Sequence, residues 1–119
     1  MGGKKSRDKG KRGEREARDQ CRKYWNAEQC IRSAQASGSH DADLLDALPL
    51  SHVEVKRHAR IVSADFMKQA ESSSRELEMP VVLSKEDKHE WLCTFRMRDS
   101  VRFVQSVVDQ IGRPFFPQK

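Results

Sequence analysis

Asp43 in "DADLLDA" (41–47), and Glu54 and Lys56 in "LSHVEVK" (50–56), are charged residues on two short runs whose apolar residues look built for a core. Both runs read as strands, and Pro49 between them marks a turn, so the pair is expected to form a hairpin. In the second run Val53 and Val55 share one face, while Glu54 and Lys56 share the other. If the strands pair, the carboxylates of Asp43 and Glu54 meet at the end of a sheet with the Lys56 ammonium beside them. Two convergent carboxylates suit a hard divalent cation such as Mg2+, which completes its shell with water and phosphate oxygens. An ion so held can stabilise charge on a phosphate and sharpen a bound water as nucleophile. A Glu-x-Lys triplet also arises by chance on solvated edge strands, so the triplet needs support from elsewhere in the chain.

That support comes from a helix expected over 13–26. At about 100° per residue, Ala17, Cys21, Tyr24 and Trp25 fall in one stripe, and Glu14 lands inside it. Arg15 and Glu16 point away. A carboxylate left alone on a buried stripe costs several kcal/mol, so Glu14 needs a cation: Arg18 one turn on, or a metal at the sheet edge.

The remaining elements are those that would hold these groups in place. "QCIRSA" (29–34) reads as a short strand and "QASGSH" (35–40) as a polar loop. A helix is expected over 63–79, capped by Ser63 and stopped by Pro80, with Phe66, Met67, Ala70 and Leu77 inward. The serines at 72–74 weaken it. Strands follow at 80–84 and 90–95, then a helix over 99–111 carrying Val101, Val104, Val107, Val108 and Ile111 at helical spacing and ending at Gly112 and Pro114. The order α-β-β-β-α-β-β-α predicts an α/β fold, a sheet with helices packed against it. Trp25 and Trp91 read as core. Phe115 and Phe116 are a candidate dimer contact, because small chains seldom expose adjacent aromatics.

Charge is distributed unevenly. The 119 residues carry a net +5, with +6 in residues 1–23 and −1 in the rest, so the basic end is the one expected to meet a polyanion. "MGGKKSRDKGKRG" lacks apolar periodicity and reads as a flexible basic arm over 1–12. Three cysteines, odd in number and without CxxC spacing, argue against a disulfide scaffold or zinc site and fit a reduced setting. No apolar run approaches the roughly 20 residues of a membrane span. The four histidines lack metal-ligand spacing, although His40 and His58 flank the proposed site and either could touch phosphate.

"RDKGKRGERE", then "IRSAQASGSHDADLL", "HVEVK" and "FMKQA", taken in this order, resemble the archaeal-type Holliday junction resolvases, including versions carried by phages, within the PD-(D/E)XK nuclease superfamily. The resemblance covers about residues 5–95. It implies a restriction-endonuclease-like αβββαβ core with a mixed central sheet flanked by helices. It also implies a homodimer and Mg2+-dependent cutting of four-way DNA junctions by paired nicks in opposing strands, with Mn2+ a possible substitute. By position, Glu14 resembles the family's helix glutamate near the metal. Asp43 and Glu54 resemble its metal-binding acids, and Lys56 its catalytic lysine. Arg12, Arg15 and Arg32 would face phosphates, Ser33 and Ser39 would lie near the scissile strand, and Gln69 would lie in the helix after the triplet. Ala42 stands where the family carries proline before the aspartate. The expected organisation is an arm over 1–12, a single nuclease domain over 13–112 and a tail over 113–119, located in the cytoplasm, the host's if phage-encoded. Two rivals share parts of this reading: a nuclease acting on other branched or duplex DNA, and a non-catalytic basic nucleic-acid-binding protein.

Overall fold

A computed structural model of the chain describes residues 2–33, 42–58, 60 and 63–112. Its elements are α1 (Gly2–Tyr24), β1 (Ile31–Arg32), β2 (Leu44–Leu45), β3 (Ser51–His58), α2 (Ser63–Ser73), β4 (Met79–Glu86), β5 (Leu92–Thr94) and α3 (Ser100–Ile111), the last preceded by a single 3-10 turn, Met97–Asp99. The order α-β-β-β-α-β-β-α is the expected one. The fold is mixed α/β, and its first six elements follow the αβββαβ order.

One sheet of five strands runs β1-β2-β3-β4-β5. Its centre is the parallel pair β3–β4, in register from Ser51 opposite Met79 to His58 opposite Glu86. Parallel strands need a crossover, and α2 supplies it. The outer pairings are antiparallel and short: Leu44 lies opposite Val53 between β2 and β3, and Leu83 opposite Cys93 between β4 and β5.

The two faces of the sheet are filled differently. Ala17 and Cys21 of α1 pack with Val53, Val81 and Leu83 in the larger core, and Trp25, Val55, Trp91 and Phe103 close its edges. On the opposite face Met67 and Ala70 of α2 pack on Val82, with Phe66 beside them. Trp25 and Trp91, expected in the core, are partly buried at its border.

Three features depart from the sequence reading. The first helix begins at Gly2, not at 13, so the backbone from Gly2 to Arg12 is helical. Lys and Arg are good helix formers, and Lys9 is anchored to Asp87 at 3.1 Å. Gly13 lets α1 approach β3: a Cβ there would sit 2.8 Å from the Arg57 Cβ. Secondly, α2 stops at Ser73, short of 79. The Ser72 and Ser74 hydroxyls donate to the carbonyls of Gln69 (3.0 Å) and Ala70 (2.6 Å), competing with continued helix. Leu77 thus leaves the helix, with φ 75° and 75% exposure.

The third departure is α3, whose valines do not enter the core. Val101 is 80% exposed and Val104 56%. The helix is fastened instead by polar bonds to backbone carbonyls: Arg102 donates to Leu50 and Leu77, and Gln110 to Trp25 (2.7 Å) and Ala47 (2.8 Å). Its one aromatic anchor, Phe103, stacks on Phe95 at 4.2 Å and meets Trp25 edge-on. Gly112, left-handed at φ 89°, ends it. The tail, with Phe115 and Phe116, lies outside the described residues. No described helix is long and apolar enough to cross a membrane.

Candidate functional site

The hairpin register decides where the acids fall. Leu44 opposite Val53 puts Asp43 across from Glu54, and neighbours across a non-bulged pair share a face. Asp43 N–H donates to the Val53 carbonyl at 3.0 Å, continuing the ladder one residue beyond β2. Its Oδ2 then accepts the Val55 N–H at 2.8 Å. The aspartate is therefore held by both its backbone and its side chain. Ser33 braces the same segment, its N–H donating to the Asp43 carbonyl at 2.9 Å.

Glu54 follows by strand alternation on the α2 side of β3, only 4% exposed. Its Oε1 accepts from His52 Nε2 at 2.8 Å. Burial pushes the Asp43 carboxyl up to about 7 against the pull of the Val55 N–H, and the neighbouring Glu54 charge adds to the rise. Burial would raise Glu54 as well, but the hydrogen bonds from His52 and Asp43 outweigh it and hold Glu54 below the ordinary range. The two carboxyls thus act as one unit with a shared proton near neutrality.

Lys56 follows Glu54 on the same face, its ammonium 5.5 Å from the Phe66 ring centroid. His58 stacks on the same Phe66 ring at 5.2 Å. Glu14, from α1, reaches the site from the far side. A cavity of about 570 Å3 is lined by Glu14, Asp43, Glu54 and Lys56 together with Lys9, Arg57, His58, Gln69 and Ser73.

The side-chain cation beside Glu14 comes from β1 and is not Arg18. Arg32 Nε lies 3.7 Å from Glu14 Oε1, and Arg18 turns to Asp19 at 3.2 Å. Burial raises the Glu14 carboxyl, with Arg32 opposing and Glu54 reinforcing. Arg32 is only 8% exposed, so its guanidinium is committed beneath the surface and is not presented to solvent. Among the described residues no three His, Cys, Asp or Glu side chains are drawn close enough to hold a metal ion as they stand. Asp43 and Glu54 are in contact, while the third acid engages Arg32.

Of the expected phosphate contacts, Arg12 and Arg15 are exposed on α1, and Gln69 is exposed on α2 at the cavity edge. Ser39, with the rest of the 35–40 loop, lies outside the described residues. Sequence reasoning passed over Lys9 and Arg57, which a clasp on Asp87 brings to the cavity rim. It also passed over His52. The available signal was its position two residues before Glu54, on the same strand face.

The donor set fits a hard cation: a buried and a half-buried carboxyl in contact, one of them pushed up to about 7, form a pair that a divalent ion would relieve. Comparison of the chain with protein-family models, with curated proteins and with solved structures finds no match to any of them.

Proposed function

We propose that the chain is a metal-dependent, structure-selective DNA endonuclease that resolves four-way junctions by paired nicks in opposing strands. The observation that carries this reading is the contact between half-buried Asp43 and buried Glu54, in one cavity with Lys56 and Glu14. A purely structural strand pair gains nothing from drawing two mutually repelling acids together away from water.

Asp43 and Glu54 are the groups that would hold Mg2+ or Mn2+, with Glu14 as the third acid once it is released from Arg32. A divalent ion bound there supplies positive charge to a phosphate oxygen and makes water a stronger nucleophile. Lys56, on the same wall, orients the attacking water or balances charge developing on the phosphate. Lys9 and Arg57 at the rim, with Arg12 and Arg15 on the exposed side of α1, offer charge to neighbouring phosphates. Such contacts position the backbone without reading bases, which suits recognition by branch shape. The outward valines of α3, with Met97, Leu50 and Leu77 also exposed, support assembly as a homodimer, the arrangement that paired nicking requires.

The test is incubation of purified protein with a synthetic four-way junction, flaps and linear duplex, each with and without Mg2+. Symmetric nicks in the junction, dependent on the ion, are expected. Equal cutting of all three substrates would replace junction resolution with a broader nuclease. Binding without any cutting, in Mg2+ or Mn2+, would leave the basic α1 as the functional element and sink the enzyme.

A further inference from the structure

We infer that His52 is a positioning residue: it holds the Glu54 carboxylate in the orientation that a divalent cation requires. The inference rests on the reading of Asp43 and Glu54 as cation ligands, and it concerns a residue outside that ligand set.

Three observations lead to it. His52 is 2% exposed, and its Nε2 lies 2.8 Å from Glu54 Oε1. An ionised carboxylate only accepts, so Nε2 carries the hydrogen and donates. The ring is also bounded on its other side, with Nδ1 3.9 Å from Glu78 Oε1. Glu78 is in turn fixed by accepting the Arg75 N–H at 2.7 Å, in the turn that feeds β4. Carboxylate, imidazole and carboxylate thus run from the cavity wall back to the α2–β4 turn. Neither flanking element leaves the ring space to swing, because His52 sits on the central strand opposite buried Pro80.

The physical need is specific. A glutamate side chain has three rotatable bonds, and freezing them costs conformational entropy. Asp43 avoids that cost through its shorter chain and the Val55 N–H. Glu54 has no backbone donor described for it, so the imidazole performs the same service from two residues away on the same face. A buried histidine of this kind could instead be a mere space-filler. A space-filler has no reason to aim one nitrogen at the single carboxylate that lines the cavity from β3. Partners of this type, set behind a ligating group, typically change metal affinity or activity by about 10- to 100-fold when removed.

The experiment uses the full chain and Mn2+ as the probe, read by electron paramagnetic resonance or calorimetry, alongside junction cleavage across a Mg2+ series. His52→Leu is expected to weaken Mn2+ binding about 10- to 100-fold and to shift cleavage to higher Mg2+, with the maximal rate recovered at saturation. His52→Gln, whose amide N–H can occupy the place of Nε2, is expected to restore most of the affinity. A His52→Leu protein that binds Mn2+ as tightly as wild type overturns the inference. So does a loss of cleavage that saturating Mg2+ does not recover. Should both variants fail to fold, nitrogen NMR of the wild-type imidazole decides. A proton on Nε2 supports the inference, and a bare Nε2 overturns it. Failure of the underlying reading looks different: wild type itself would bind no Mn2+, and Glu54→Gln would change nothing.

Discussion

The two faces of β3 carry the same backbone and opposite fates. Toward α1, Val53 is 1% exposed and joins a closed apolar core with Val81 and Leu83. Toward α2, His52 and Glu54 are buried as deeply, yet they are polar and tied to each other. Both faces are packed, so burial does not separate structure from function here. What separates them is the company kept. Each valine meets apolar neighbours and lowers the free energy by roughly 25 cal/mol for each Å2 removed from water. Glu54 meets a second acid, an arrangement that raises the free energy until a cation or a proton arrives. One strand carries both, along a pairing with β4 that spans eight residue positions.

Substitutions can break this contrast. The largest effect is expected from Asp43→Asn or Glu54→Gln: at least a 100-fold loss of junction cleavage, corresponding to about 3 kcal/mol of lost transition-state stabilisation, with junction binding retained in a gel-shift assay. Normal cutting by either variant would show that the polar face does no chemistry. On the apolar face the outcome reverses. Met79→Ala, at a site 0% exposed, should cost about 2–5 kcal/mol of stability in denaturant titration, while the folded fraction keeps its specific activity.

Sharper still is pH. The Asp43 pKa is raised from 3.8 to about 7 on folding, so the folded state holds this proton more tightly than the unfolded state does. The resulting stabilisation is complete below pH 4 and disappears as the pH rises through 7. In Mg2+-free buffer the wild type should therefore lose stability, on the order of 1–3 kcal/mol, relative to Asp43→Asn between pH 4 and 8. Added Mg2+ should restore wild type alone at the upper end. Parallel stability curves for the two proteins would show that the carboxyls do not share a proton.

The smallest effects test how α1 is seated over the site. Gly10→Ala meets open space and should gain about 0.5–1 kcal/mol from helix propensity. Gly13→Ala places its Cβ 2.8 Å from Arg57, so contact with β3 should cancel or reverse that gain. Equal stabilisation by both changes would mean that α1 does not rest on Arg57.

Much of this arrangement was legible in the chain. Alternation of Val53 and Val55 with Glu54 and Lys56 gave the faces of β3, and Pro49 gave the hairpin, because period and turn chemistry are local. The order of elements followed for the same reason. Partner choice was not local. Glu14 was placed correctly on the inner side of its helix, but its cation, Arg32, comes from β1, and no helix wheel contains it. The outward valines of α3 show the converse limit: helical periodicity reveals that one face is apolar without saying what covers it. His52 reads as an ordinary strand residue until the register places its nitrogen against Glu54. The boundaries of α1 and α2 moved because Lys9 found Asp87 and because serine hydroxyls reached back to the carbonyls behind them.

The tapering of the sheet has a consequence for life at high concentration. Its outermost strands, Ile31–Arg32 and Leu92–Thr94, are two and three residues long beside eight-residue strands at the centre. A free strand edge invites other chains to add on, and brevity is one of the ways proteins discourage this. Although Leu92 is 57% exposed, a passing molecule finds few unpaired peptide groups along that border on which to build a ribbon, so crowded copies of the chain have little strand edge to join.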